Sequence, residues 1–252
     1  MSEIFGIYTL WLREVKRYTR EKTRLVSSFI QPLLWLVIFG SGMQFSNIGF
    51  SQITYQKFIF PGIVGQTLLF TSMFMGISVI WDREFGFLKE ILVSPISRVS
   101  IFVGKMLGAA TDAIIQGSFV FVLSFLVGIS VDLQTYLSCL PIMMLITFGL
   151  VSVGLTIASR MESLESFGVI QTFVNLPLFF LSGALFPLTN VPEWLRWVST
   201  VNPVTYGVDA LRIMILKSAW IPLLPLQYDL LAVTMFDAAM ILLGTIVFGQ
   251  RK

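Results

Sequence analysis

Phe58–Trp81, FIFPGIVGQTLLFTSMFMGISVIW, decides the fold: 24 residues without one charged side chain. As a helix rising about 1.5 Å per residue it reaches about 36 Å, enough to cross a hydrocarbon core of about 30 Å with some tilt. Outward from it lie five more apolar runs, at 25–45, 101–127, 136–158, 167–186 and 229–249. They are continuous rather than alternating, which speaks against a transmembrane β-barrel. The expectation is an all-α polytopic membrane protein with six transmembrane helices. Composition agrees: 56% of the 252 residues are hydrophobic, 12% are charged and mean hydropathy is +0.84. A soluble domain carries about twice that share of charge.

Histidine is absent and there is one cysteine, Cys139. Ser-His-Asp and Cys-His catalysis, His-based zinc sites and His-ligated haem are therefore excluded, as is an internal disulfide. No metal site is expected. The net charge of +3 is read as orientation of the spans rather than as an affinity for nucleic acid.

Residues 1–24 precede the first span and do not resemble a cleavable signal. Ile4, Tyr8, Trp11, Val15 and Tyr18 recur at spacings of three and four, and Arg13, Glu14, Lys16, Arg17, Arg20 and Glu21 occupy the other side. That pattern predicts an amphipathic helix lying in the membrane interface, its basic side toward anionic lipid. Thirteen Lys and Arg fall on the side of the N-terminal segment and four on the other. The positive-inside rule then puts both termini in the cytoplasm of a multi-pass protein of the cell membrane. Residues 25–252 form the membrane domain.

Two segments between spans read as devices. Trp81–Arg98 is a short amphipathic helix on the cytoplasmic side, with Asp82 expected to cap it, Phe85, Leu88 and Leu92 as its apolar stripe, and Pro95 as its stop. Phe186–Ala219 is broken by Pro187, Pro192 and Pro203, and predicts two short helices on the outside, around Trp194–Val201 and Val204–Leu216. Trp194, Trp197 and Tyr206 suit the headgroup region, and Asp209 and Arg212, three apart, are placed to pair.

The chain resembles the permease subunits of ABC-2-type exporters, among them drug-resistance and polysaccharide-export members. The resemblance covers essentially the whole chain. It is carried, in order, by LREVKRYTR (12–20), PLLWLVIFG (32–40), FPGIVGQ (60–66), DREFGFLKEILVSPISRVSIFVGK (82–105), LSGALFPLTNVPEWLRW (181–197) and NPVTYGVDALR (202–212). The resemblance implies that two such subunits, expected to be two copies of one chain, pair around a path, and that two ATP-binding subunits dock from the cytoplasm. It makes the N-terminal helix a connecting helix and the segment from Asp82 to Pro95 a coupling helix, with Asp82, Arg83, Glu84, Gly86, Lys89 and Glu90 facing the ATPase. It makes the two short helices re-entrant, with Trp194, Asn202, Pro203, Asp209 and Arg212 in that exoplasmic element.

The residues constrain this picture. A P-loop needs the run G-x-x-x-x-G-K-S/T so that backbone amides cradle phosphate. The chain has none, and Gly104-Lys105 is followed by Met106. ATP and magnesium are thus expected on a partner subunit, with no cofactor here and no enzymatic activity of its own. Polar groups inside spans are candidates for the path: Asp112 and Asp237, and the pair Gln171 and Asn175. An alternative is a proton-coupled secondary transporter that uses Asp112 and Asp237. The halves show no inverted repeat, which argues against it. Interhelical hydrogen bonding through Thr111, Gln116, Gln171 or Asn175 would be the structural use of the two acids.

Overall fold

The computed structural model describes residues 3–42 and 53–250, and among them every regular element is a helix. In chain order these are α1 (Glu3–Arg20), α2 (Lys22–Gly42), α3 (Tyr55–Phe74), α4 (Ile77–Glu84), α5 (Phe87–Val93), α6 (Arg98–Leu123), α7 (Leu133–Arg160), α8 (Leu164–Phe180), α9 (Glu193–Val201), α10 (Pro203–Leu216) and α11 (Leu226–Gly249). Four stretches are long and apolar enough to cross a membrane: Tyr55–Glu84, which is α3 continued by α4, and α6, α7 and α11. The apolar part of α2, Ile30–Gly42, and α8 are shorter. The last residues of the first run, 43–45, lie outside the described residues, as do Arg251 and Lys252.

Burial sets the order of the layers. The Tyr55–Glu84 stretch is 83% buried in its most apolar window, whereas that of α11 is 17% buried. α3 therefore forms the centre, against α6, α7, α10 and α2, and α11 lies outside on α7. The core is closed by Phe58, Phe60, Leu68, Phe121, Met143 and Phe179, with free Cys139 buried among them. Leu231, Met235, Leu242 and Leu243 on α11 are left exposed, as suits a membrane protein with hydrocarbon on that side.

Two expected boundaries change. The fifth run stops at Phe180, not Phe186. Leu181–Phe186 turns back instead, and the carbonyls of Gly183 and Ala184 are taken by the guanidinium of Arg212 at 2.7 and 3.1 Å. A buried arginine thus supplies the donors that helix amides would have supplied. At the third run, α6 ends at Leu123 and Ser124–Val127 is a 3-10 turn.

The rotation of α1 also differs from the expected stripe. Gly6, Leu10, Glu14 and Tyr18 face inward, and Ile4 and Tyr8 stay exposed. The reason is its bed on α6, where Gly104 and Gly108 carry no side chain. A Cβ on Gly104 would stand 2.8 Å from that of Leu10, and one on Gly108 2.6 Å from that of Glu14. Two glycines four apart let the helices approach closely, as in small-xxx-small packing.

At its first turn α1 is fastened by Glu3, whose carboxylate accepts the Ser97 backbone N–H at 3.0 Å. Hydrogen bonds from the Ser100 side chain and the Ser97 backbone hold this exposed carboxyl below its ordinary value of 4.5. A lowered folded value means the contact is complete above that range and is lost as pH falls through it. A nitroxide at position 4 is expected to be restrained at pH 7 and mobile in acid. Glu3→Gln should be mobile at both. Equal mobility of wild type and variant at pH 7 would refute the tether.

Candidate functional site

Where α1, α4 and α6 meet, charge is buried. Lys105 on α6 is 1% exposed, Glu14 on α1 and Asp82 on α4 2% each. The Lys105 ammonium donates to Glu14 Oε1 at 3.2 Å, to Asp82 Oδ2, and to Ser78 Oγ at 3.5 Å. Arg13 on α1 donates to Asp82 through both terminal guanidinium nitrogens and lies 5.5 Å from the Phe87 ring of α5. Arg17 lies 4.3 Å over the Trp81 ring. Two buried acids are met by buried Lys105 and by the partly exposed Arg13 and Arg17, so each acid has a counter-ion.

Asp82 therefore does not cap α5, as the sequence suggests. It belongs to α4, and its oxygens are spent on Lys105 and Arg13. The start of α5 is made by Gly86, at a φ of 81° that favours glycine. α5 ends at Val93, before Ser94 and Pro95, as the proline predicts. Arg83 also points inward, donating to the carbonyls of Met161 (2.5 Å) and Ser159 (3.3 Å) where α7 ends. Of the six residues assigned to coupling, Glu84, Gly86 and Glu90 are exposed. The side chains of Lys89, Leu88 and Leu92 lie outside the described residues. Phe85, Phe87 and Val93 are exposed at 69, 50 and 86%. α5 is thus a short arm with a bare apolar edge, rooted in a buried ionic junction.

Further along the bundle a cavity of about 270 Å³ opens between α2, α3, α6 and α8. Ser27, Gln31, Phe70, Thr71, Phe74, Gln116 and Gln171 line it, and a smaller recess beside it adds Pro32, Gln66 and Thr67. Thr71 donates to Gln116 at 2.9 Å. Of the four intramembrane candidates, Gln171 is in this wall. Asn175, one turn along α8, is buried, and its carbonyl oxygen has no hydrogen-bond partner. Asp112 is buried elsewhere, beside Tyr18, Met75 and Trp81. Asp237 packs against α7, where a Cβ on Gly149 would stand 2.2 Å from its oxygen. Of the four suggested partners, Gln116 is engaged with Thr71 and Thr111 with the Trp11 indole.

At the opposite end, α9 and α10 are the two short helices foreseen. Asn202 caps α10, accepting from the Val204 N–H at 3.0 Å and donating to the Leu178 carbonyl at 2.7 Å, with Pro203 at the first helical position. Trp194 and Trp197 are exposed on α9. Asp209 and Arg212 do not pair. Asp209 accepts from the Trp220 indole and the Leu223 N–H, both at 2.8 Å. Arg212, besides its carbonyls, stacks on Phe58 and Trp220 at 4.1 and 5.0 Å.

The same order of pieces recurs in known proteins: residues 6–216 match the ABC-2 type transporter family. The chain belongs to that family. This ABC-2 chain is 30% identical over 228 residues to the ycf38 protein of Cyanophora paradoxa, named as a transport permease, covering 88% of the one and 79% of the other. It is 26% identical over 213 residues to the inner membrane transport permease YadH of Escherichia coli K12, covering 82% and 81%. Nodulation protein J of Rhizobium meliloti is 24% identical over 229 residues, covering 90% and 86%.

Lys105, Glu14 and the glutamines 31, 66 and 116 were not singled out as site residues by sequence reasoning. The signal for the first was present: a lysine within an apolar run needs a counter-ion. Gln31, Gln66 and Gln116 carry no charge and vanish into their runs.

Proposed function

We propose that this ABC-2 chain is the transmembrane permease subunit of an ATP-driven exporter in the cell membrane, with six spans, both termini cytoplasmic and α9–α10 re-entrant from outside. A separate ATP-binding subunit, in two copies, supplies the energy, and a second copy of this chain completes the path. ATP and magnesium belong to that subunit. α5 is the coupling helix. The observation that carries this reading is the rooting of α5: an arm with exposed Phe85, Phe87 and Val93 whose base, Asp82, is bound to both α1 and α6. A push on α5 then moves the connecting helix and the third span together, because separating those ions would leave charge buried and unpaired.

The cavity of α2, α3, α6 and α8 supplies one wall of the path. Its 270 Å³ is below the roughly 300–1,000 Å³ of a small-molecule site. A second wall from a two-fold partner fits that shortfall. Proton coupling through Asp112 and Asp237 has less support, since neither lines this cavity.

The test is a pull-down of tagged chain from its native membranes with an ATPase assay on the eluate. A P-loop subunit is expected to co-elute, and a triple change of Phe85, Phe87 and Val93 to serine should reduce its recovery about tenfold or more while the permease still elutes folded. Unchanged recovery and unchanged ATPase activity would remove α5 from the coupling role.

A further inference from the structure

We infer that the glutamine cavity selects uncharged, hydrogen-bonding amphiphiles, and that Gln66 is its principal specificity residue. This rests on the cavity being the wall of the path. Gln66 is 4% exposed, lines the recess, and has no hydrogen-bond partner among the described residues. Among the described residues half-buried Gln171 and exposed Gln31 have none either, and Gln116 is engaged through its carbonyl oxygen. Amides that merely join helices are found paired, as Gln116 and Thr71 are. An unpaired amide buried beside hydrocarbon is costly, so Gln66 is set for a guest that enters and leaves. A carboxamide both donates and accepts, and so matches hydroxyl and amide groups of a guest.

The chemistry of the wall also says what is refused. Its polar members are carboxamides and hydroxyls, and no charged side chain is among the described lining residues. Lys105, the buried ammonium, lies elsewhere and is already matched by Glu14 and Asp82. An ammonium or sulfate head group brought here would shed water and meet no counter-charge among the described lining residues. Phe70 and Phe74 on the same wall offer apolar contact to the tail of an amphiphile.

The experiment uses the full-length protein in lipid nanodiscs and a photoreactive octyl glucoside, with adducts mapped by mass spectrometry. Labelling is expected on α3 and α6 around the cavity. Unlabelled octyl glucoside should compete, and octyltrimethylammonium and octyl sulfate should compete about tenfold less well, the worth of one or two hydrogen bonds. Gln66→Leu, which replaces an unpaired amide by an apolar side chain, should keep the fold and lower the labelling about tenfold. Gln171→Leu repeats the test from α8. Gln66→Glu should reverse the order and favour the ammonium compound. Labelling spread over the exposed face of α11, labelling indifferent to Gln66 and Gln171, or equal competition by all three head groups would overturn the inference. None of these results depends on an ATPase. The site can therefore fail while a P-loop subunit still co-elutes, and it can stand if none does.

Discussion

Replacing Lys105 with methionine is expected to cost about 3–5 kcal/mol, the loss found when one member of a buried ion pair is removed. Methionine fills much of the same volume, so the cost is electrical. Glu14 would keep only Arg17, at 3.9 Å, and Asp82 would keep Arg13. Both acids would remain buried beside a vacant contact. The transition in detergent, followed by tryptophan fluorescence, should fall well below that of the wild type. The double variant Glu14→Gln with Lys105→Met removes one charge of each sign and should recover more than half of the loss. Recovery distinguishes an ionic junction from a tightly packed one, since a second core substitution would otherwise add to the damage. An unchanged transition in the single variant would mean that Lys105 is not buried in this way.

Arg212→Met should be comparably damaging at the other end. It orphans the carbonyls of Gly183 and Ala184, which Arg212 reaches at 2.7 and 3.1 Å, and removes its contact with the Phe58 carbonyl at 3.4 Å. Unsatisfied buried groups cost about 1–3 kcal/mol each, and the stacking on Phe58 and Trp220 is lost as well. Arg212→Lys should rescue little. A compact ammonium cannot span the carbonyls in a planar fork or stack between two rings. Limited proteolysis between α8 and α9 reads the outcome: cleavage in Leu181–Pro192 is expected to accelerate in both variants. If lysine restores protection fully, charge alone is what the turn requires.

The division between legible and hidden features has a physical basis. Length and apolarity are carried by composition, so the charge-free Phe58–Trp81 announced the central helix, and Pro95, Pro192 and Pro203 marked the limits of α5, α9 and α10. Rotation and pairing are carried by neighbours distant in sequence. Glu14 looked solvated because its partner, Lys105, lies 91 positions away. Asp82 looked like a cap for the same reason. LSGALF at 181–186 looked like span because nothing local reveals that Arg212 will take its carbonyls. Gly104 was weighed only as part of an absent phosphate loop, although with Gly108 it forms the bed of α1. The six residues expected to face an ATPase come from one segment, and the fold divides the five whose side chains are described: Asp82 and Arg83 serve its root, while Glu84, Gly86 and Glu90 are exposed at its surface.

The central claim is that α5 is the surface on which a separate ATPase pushes. The most direct measurement is photocrosslinking in native membranes from a benzophenone amino acid placed at Glu90, with the same group at Trp197 on the far end as control. If α5 is that surface, position 90 forms an adduct with a P-loop ATP-binding protein, absent from position 197 and suppressed when Phe85, Phe87 and Val93 are changed to serine. Adducts from position 90 with lipid alone, in membranes where the chain is folded, would contradict it.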